Sequence, residues 1–197
     1  TGEHLMKNRA KCFDYFRTSD CRTQKCACAQ AIQNNREAAS ETDAHPGNLN
    51  LEIAYNGVPI RNEQGKAVAA LEIVIDQTAV KRNEKLLKKI ADFQDKEVAR
   101  LNNNLQKIAM GDLSCDLHVD SGDSDVENVK EKFEMLSKAL GVSVEAISRL
   151  IEDANMLAKS AIEGQLNKRA DASKHQGDYK RIVEGINTTL DAVINPV

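Results

Sequence analysis

The segment Val98–Leu140, shifted forward by 53 positions without gaps, falls on a second version of itself: Val98 meets Ile151, Gly111 meets Gly164, Leu113 meets Leu166 and Asp125 meets Asp178. Val129 then meets Ile182, Phe133 meets Ile186 and Leu140 meets Val193. Two copies of one unit follow each other. Each unit reads as a helix ending in Gly-x-Leu, an irregular connector of about 12 residues, and a second helix that opens near an acidic residue. In the first copy Gly111 stops the helix, Leu113 and Val119 are apolar anchors along the connector, and Ser124 or Asp125 is the candidate cap. In the second copy Gly164, Leu166, Ala170 or Ala172, and Asp178 take those roles.

The helices are written in steps of three and four. Lys81–Lys96 is dense in strong helix formers, and Leu86 or Leu87, Ile90, Phe93, Val98, Leu101, Leu105 and Ile108 supply a narrow apolar stripe with heptad spacing. Such a helix, roughly 30 residues and ~45 Å long, needs a partner to bury its stripe. A second stripe runs through Val129, Phe133, Leu136, Leu140, Val144, Ile147, Ile151, Ala154, Ala158 and Ala161, so the two copies are expected to share one helix. Gly141 weakens that helix by about 1 kcal/mol. The alanines imply close helix approach and a thinner core in the second copy, each missing methylene forgoing roughly 0.8 kcal/mol of burial.

Composition agrees with thin bundles. The 197 residues include no Trp, four Phe and three Tyr, so buried positions fall to Leu, Ile, Val and Ala rather than to the aromatics of a deep enzyme core. A net charge of −3 and the absence of a polybasic stretch argue against a nucleic-acid binder. Apolar runs such as Ile73-Val74-Ile75 fall far short of the ~20 residues that cross a bilayer. The chain opens at Thr1 without an initiator Met or signal peptide and stops at Asn195-Pro196-Val197 in mid-pattern, which reads as an internal piece of a longer protein.

Residues 1–78 follow a different rule. Cys26–Asn34 reads as a short helix closed by Asn34-Asn35, because Asn tolerates the left-handed conformation. Strand signals follow at Glu37–Ala44, at Leu49–Ile60 with Leu49, Leu51, Ile53 and Tyr55 alternating, and at Lys66–Ile75 with Leu71, Ile73 and Ile75 on one face. Asn62-Glu63-Gln64-Gly65 is a hairpin loop in which Gly65 can take positive φ. An antiparallel sheet with one covered face is expected.

A helix–connector–helix unit of about 50 residues carrying Ile108-Ala109-Met110-Gly111-Asp112-Leu113 and then an acidic helix start resembles the HAMP domain. So does Ala161-Ile162-Glu163-Gly164-Gln165-Leu166 through Asp178-Tyr179, and Ile182–Ile194 looks like the HAMP exit of methyl-accepting chemotaxis receptors. Both copies lack the family's Pro early in the first helix, and Asp125-Val126-Glu127 meets the acidic-x-Gly opening only in part. The resemblance implies parallel four-helix bundles formed by homodimerisation. Residues 1–78 resemble the C-terminal part of a PAS domain, its last three strands closing on Asp76-Gln77-Thr78 as an Asp-x-Thr exit into a signalling helix.

The implied fold is α+β: a partial PAS-like antiparallel sheet with short helices over 1–78, a coiled-coil linker helix over 79–95, and tandem HAMP bundles over 96–142 and 143–197. The implied function is relay of a conformational signal, without catalysis, from the sensor to an output domain outside this chain. There a chemotaxis kinase and its adaptor would be engaged. Asp76 and Thr78 would anchor the helix exit, and Gly111, Leu113, Asp125, Gly164, Leu166 and Asp178 would fix the connectors. A cytoplasmic location is expected, in a full-length protein either membrane-anchored or soluble. The ligand of the sensor is not legible.

Two other readings fit the same residues: the regulatory region of a sensor histidine kinase, or a thiol- or metal-based sensor. Cys12, Cys21, Cys26 and Cys28 lie close in sequence, with the spacing C-x8-C-x4-C-x-C, while Cys115 stands alone. Four thiolates could hold zinc or an iron–sulfur cluster, although neither the zinc-finger pairs nor the ferredoxin run is matched, and structural cysteines in a reducing compartment are the plainer reading. His4, His45, His118 and His175 have no base–nucleophile pattern around them.

Overall fold

A computed structural model describes residues 11–194. They divide between Lys88 and Lys89 into two compact units. Among the described residues, no helix is long and apolar enough to cross a membrane.

The first unit carries two short helices, α1 (Cys12–Tyr15) and α2 (Ala27–Asn34), then strands β1 (Ala38–Ala44), β2 (Leu51–Arg61) and β3 (Ala67–Asp76). The strands form one antiparallel sheet in the order β1-β2-β3. Asn35 closes α2 with φ of 50°, the left-handed stop that the Asn pair predicts. The β2–β3 loop is tied by Asn62, whose Oδ1 accepts from the amides of Gln64 and Lys66, and Gly65 takes φ of 77°.

The sheet does have one covered face, but β3 presents it the opposite way from its hydrophobic pattern. Leu71, Ile73 and Ile75 are about half exposed, and Glu72 and Val74 lie on the side of Ile53 and Tyr55, where α2 packs. The cause is in β2. Gly57 pairs with Glu72, and a Cβ on Gly57 would stand 2.6 Å from the Ala27 carbonyl oxygen, so only glycine lets α2 lie this close. Pairing is fixed in steps of two, and this contact turns the Ile73 face outward. Leu49 likewise precedes the strand and is exposed.

A helix α3 (Thr78–Ala109) leaves the sheet, and α4 (Glu127–Ile162), a 3-10 turn (Ala172–Lys174) and α5 (Gly177–Ile194) complete the chain. The repeat predicts this layout, including a single α4 of 36 residues running through Gly141. Gly141 has a local reason to lack a side chain: its Cβ would stand 3.0 Å from Leu117 of the connector. Gly111 and Gly164 follow α3 and α4 at φ of 79° and 74°, which side-chain-bearing residues rarely adopt. In the second copy Leu157, Ala170 and Val183 form a buried cluster flanked by Leu150, Ala172, Ile186 and Leu190.

Candidate functional site

Two kinds of place can carry a conformational signal: the exit from the sheet, and the surfaces that hold each connector to its helices. At the exit, Asp76 Oδ1 accepts from the Thr78 amide at 2.8 Å, while the Thr78 hydroxyl oxygen accepts from the Glu52 amide at 3.0 Å. The Gln77 amide donates to the Glu52 carbonyl at 2.8 Å. The Thr78 contact holds the Asp76 carboxyl below its usual range. One turn further, Lys81 pairs with Glu41 at 2.8 Å and Lys85 with Glu52 at 3.1 Å, so the first turns of α3 are fastened to β1 and β2. Asp76 and Thr78 thus tie the start of α3 to β2, and Glu52 is the partner that sequence reasoning missed.

The first connector runs back along α3. The buried residues of α3 are both polar, Glu97 and Asn104. Asn104 Nδ2 donates to the Asp116 carbonyl at 2.7 Å, and its Oδ1 accepts from the Asp116 amide at 2.9 Å. Arg100 donates to Glu97 at 2.6 Å, to Asp120 at 2.6 Å and to the His118 carbonyl at 2.7 Å, with Asp116 at 3.3 Å. Lys96 also pairs with Asp120, and Lys89 with Asp123 and Asp125. Facing Lys96 and Arg100, the Asp120 carboxyl is held down at about 2.

The second connector is held by other means. Asn187, on α5, makes the same pair of hydrogen bonds to backbone, accepting from the Ala170 amide at 3.1 Å and donating to the Ala170 carbonyl at 2.8 Å. His175, just before α5 and buried, meets Asp153 of α4 at 2.6 Å. Arg169 pairs with Asp191 at 2.5 Å.

The expected anchors fare unevenly. Gly111 and Gly164 act as helix stops, Leu113 is half-buried, and Ala170 is the buried connector residue of the second copy. Leu166 is exposed, and Ala170 is the connector residue buried in its stead. Asp125 does not cap α4. Val126 holds that position without a side-chain bond, and Asp125 is drawn away by Lys89 at 2.8 Å. Asp178 sits exposed in the first turn of α5, paired with Arg181 at 2.8 Å and favourably placed near the positive end of the helix dipole.

Residues 174–197, spanning the end of the second connector and α5, match the HAMP domain family. A HAMP domain is present in this chain. It implies a role as a signal-transduction linker. No curated protein matches the chain. His175 and Asn187 both lie inside the HAMP match, while their partners Asp153 and Ala170 precede it, and neither contact was foreseen from the sequence.

Cys12, Cys21, Cys26 and Cys28 are not brought together: among the described residues no three His, Cys, Asp or Glu side chains gather as a metal-binding set. Each thiol is free. Burial pushes Cys28 up to about 12, with Glu72, Cys26 and Cys12 adding to it, and Cys12 is raised by burial and then by Glu72. Reactive cysteines need the reverse, a stabilised thiolate. Instead, Asp20 organises this region: buried, it accepts from Ser40 at 2.6 Å and from the Tyr55 hydroxyl at 3.0 Å, and Tyr55 in turn accepts from the Ala27 amide at 3.2 Å. Of the histidines, His4 lies outside the described residues, and His45 bridges Asp43 and Asn50 at 2.8 Å each.

Proposed function

We propose that this chain is the relay segment of a methyl-accepting chemotaxis receptor, in which a PAS-type sensor remnant (1–78) drives a linker helix and two HAMP units (96–142 and 143–197) arranged in series. The HAMP match at 174–197, combined with the gapless repeat that extends the same pattern back to Val98, carries this reading. The chain itself performs no chemistry. It acts as a parallel homodimer whose output domain engages the chemotaxis kinase and adaptor.

Supporting the dimer, the heptad stripe is left without cover in a single chain: Val98 is 54% exposed, Leu105 51%, Leu136 49% and Ile151 44%. Burying such side chains is worth roughly 1.5–3 kcal/mol each when complete. Supporting the direction of relay, the Asp76–Thr78–Glu52 bonds make the start of α3 follow the sheet. Two packings that differ by a few kcal/mol leave the minor one populated, so a small displacement at the exit shifts the output.

The test is the distance between nitroxides at position 101 of the two subunits, introduced as an unnatural amino acid because five native cysteines would also take a thiol label. Packed helix axes stand 8–10 Å apart, so a parallel bundle gives a single population below about 30 Å. A longer distance, or a monomer by sedimentation, overturns the assembly.

A further inference from the structure

We infer that the two copies of the repeat hold their connectors by different physics, the first by an electrostatic latch to α3 that salt releases and the second by apolar packing that salt leaves closed. The inference concerns each connector and its own helices, and does not depend on the dimer or on the chemotaxis reading.

The latch is built on one face of α3. Lys89, Lys96, Arg100, Asn104 and Lys107 are separated by seven, four, four and three residues, which brings them into line on a helix. The connector passes them in reverse order: Lys107 donates to the Ser114 carbonyl at 2.9 Å, Asn104 binds Asp116, Arg100 and Lys96 bind Asp120, and Lys89 binds Asp123 and Asp125. Four of these five side chains are cations, and four connector residues opposite them are aspartates. Asp120 is 24% exposed and Asp123 58%, so solvent ions reach the pairs.

Advancing the five positions by 53 gives Val142, Arg149, Asp153, Leu157 and Ser160. The charge pattern is gone. Arg149 turns to Glu145 of its own helix at 3.6 Å, and Leu157, where the first copy has Asn104, is buried against Ala170 and Val183. Asp153 keeps a connector partner, but that partner is His175, whose side chain is 2% exposed. The remaining exposed link, Arg169 to Asp191, goes to α5 rather than to the first helix of the copy. Screening weakens exposed pairs strongly as the Debye length falls from about 10 Å at 0.1 M salt to about 3 Å at 1 M, while buried contacts are screened much less.

Both connectors carry reporter amides. The amides of Asp116 and Asp120 are held by Asn104 and Glu97, and that of Ala170 by Asn187. Hydrogen exchange of the full chain, followed at these amides in 0.05 M and 1 M sodium chloride and normalised to an unfolded peptide, separates the two. We expect exchange at Asp116 and Asp120 to rise at least threefold more than at Ala170. Lys89→Gln with Lys96→Gln, which removes two of the latch cations and leaves the buried Glu97 and Asn104 in place, reproduces the faster exchange at low salt and shrinks the salt response. Equal responses in the two connectors, no response in the first, or a salt response unchanged in the double variant overturns the inference.

Discussion

Asn104 and Asp116 exchange two hydrogen bonds, side-chain amide to backbone carbonyl at 2.7 Å and backbone amide to side-chain oxygen at 2.9 Å. A residue 12 positions away in the chain is thereby held as a β-ladder neighbour would be, in a connector with no strand to pair with. Only a carboxamide offers a donor and an acceptor at this spacing.

Replacing Asn104 by leucine, the residue that the second copy carries at the equivalent position, is expected to destabilise the second unit by about 2 kcal/mol, because the Asp116 peptide then loses both partners. Urea unfolding reads this directly. A variant as stable as the parent would mean that the clamp contributes nothing.

Gly57→Ala places a methyl group 2.6 Å from the Ala27 carbonyl oxygen and 2.8 Å from Cys28 Cα, both backbone atoms that cannot swing aside. Helix α2 must lift from the sheet, at a cost of about 1–3 kcal/mol. Thermal unfolding of the first unit should fall, with increased solvent access to Cys28 measurable by thiol labelling; unaltered labelling would contradict the close approach.

Tyr55→Phe keeps the ring and removes one hydroxyl, which leaves buried Asp20 short of a donor and the Ala27 amide without an acceptor. The expected loss is about 1–3 kcal/mol, larger than for a hydroxyl facing water. If Tyr55→Phe and the parent unfold together, the Asp20 network is not what fixes α2 to the sheet.

Asp120 should titrate near pH 2, well below an ordinary carboxylate. A carboxyl depressed in the folded state stabilises it above the unfolded value near pH 4, and that contribution is lost as pH falls from about 4 towards 2. Carbon-detected NMR of the Asp120 carboxyl gives the midpoint. Lys96→Gln removes the foremost cause and should raise it; an ordinary midpoint in the parent would remove the ion pair from the account.

Much of the architecture was legible because local chemistry decides it. Asn35, Gly111 and Gly164 end helices through a left-handed backbone, and the stripe through Gly141 foretells one long helix. Period two in β3 was legible as well, yet it could not say which face is covered: that follows from Gly57 meeting α2, a contact between residues 30 positions apart. The connector contacts were illegible for the same reason. Acidic residues near a helix start read as caps, and nothing local shows that Lys89 draws Asp125 elsewhere. Glu97 and Asn104 lie beside the apolar stripe and gave no local signal, because their partners are set by how the connector doubles back.

Helix α4 belongs to both copies, from Glu127 to Ile162, with no stop between them. Neither copy can therefore melt by itself without fraying a hydrogen-bonded helix inside the other. In the language of repeat proteins, the junction is a strong nearest-neighbour coupling, so the second unit should lose its structure in one cooperative step rather than two.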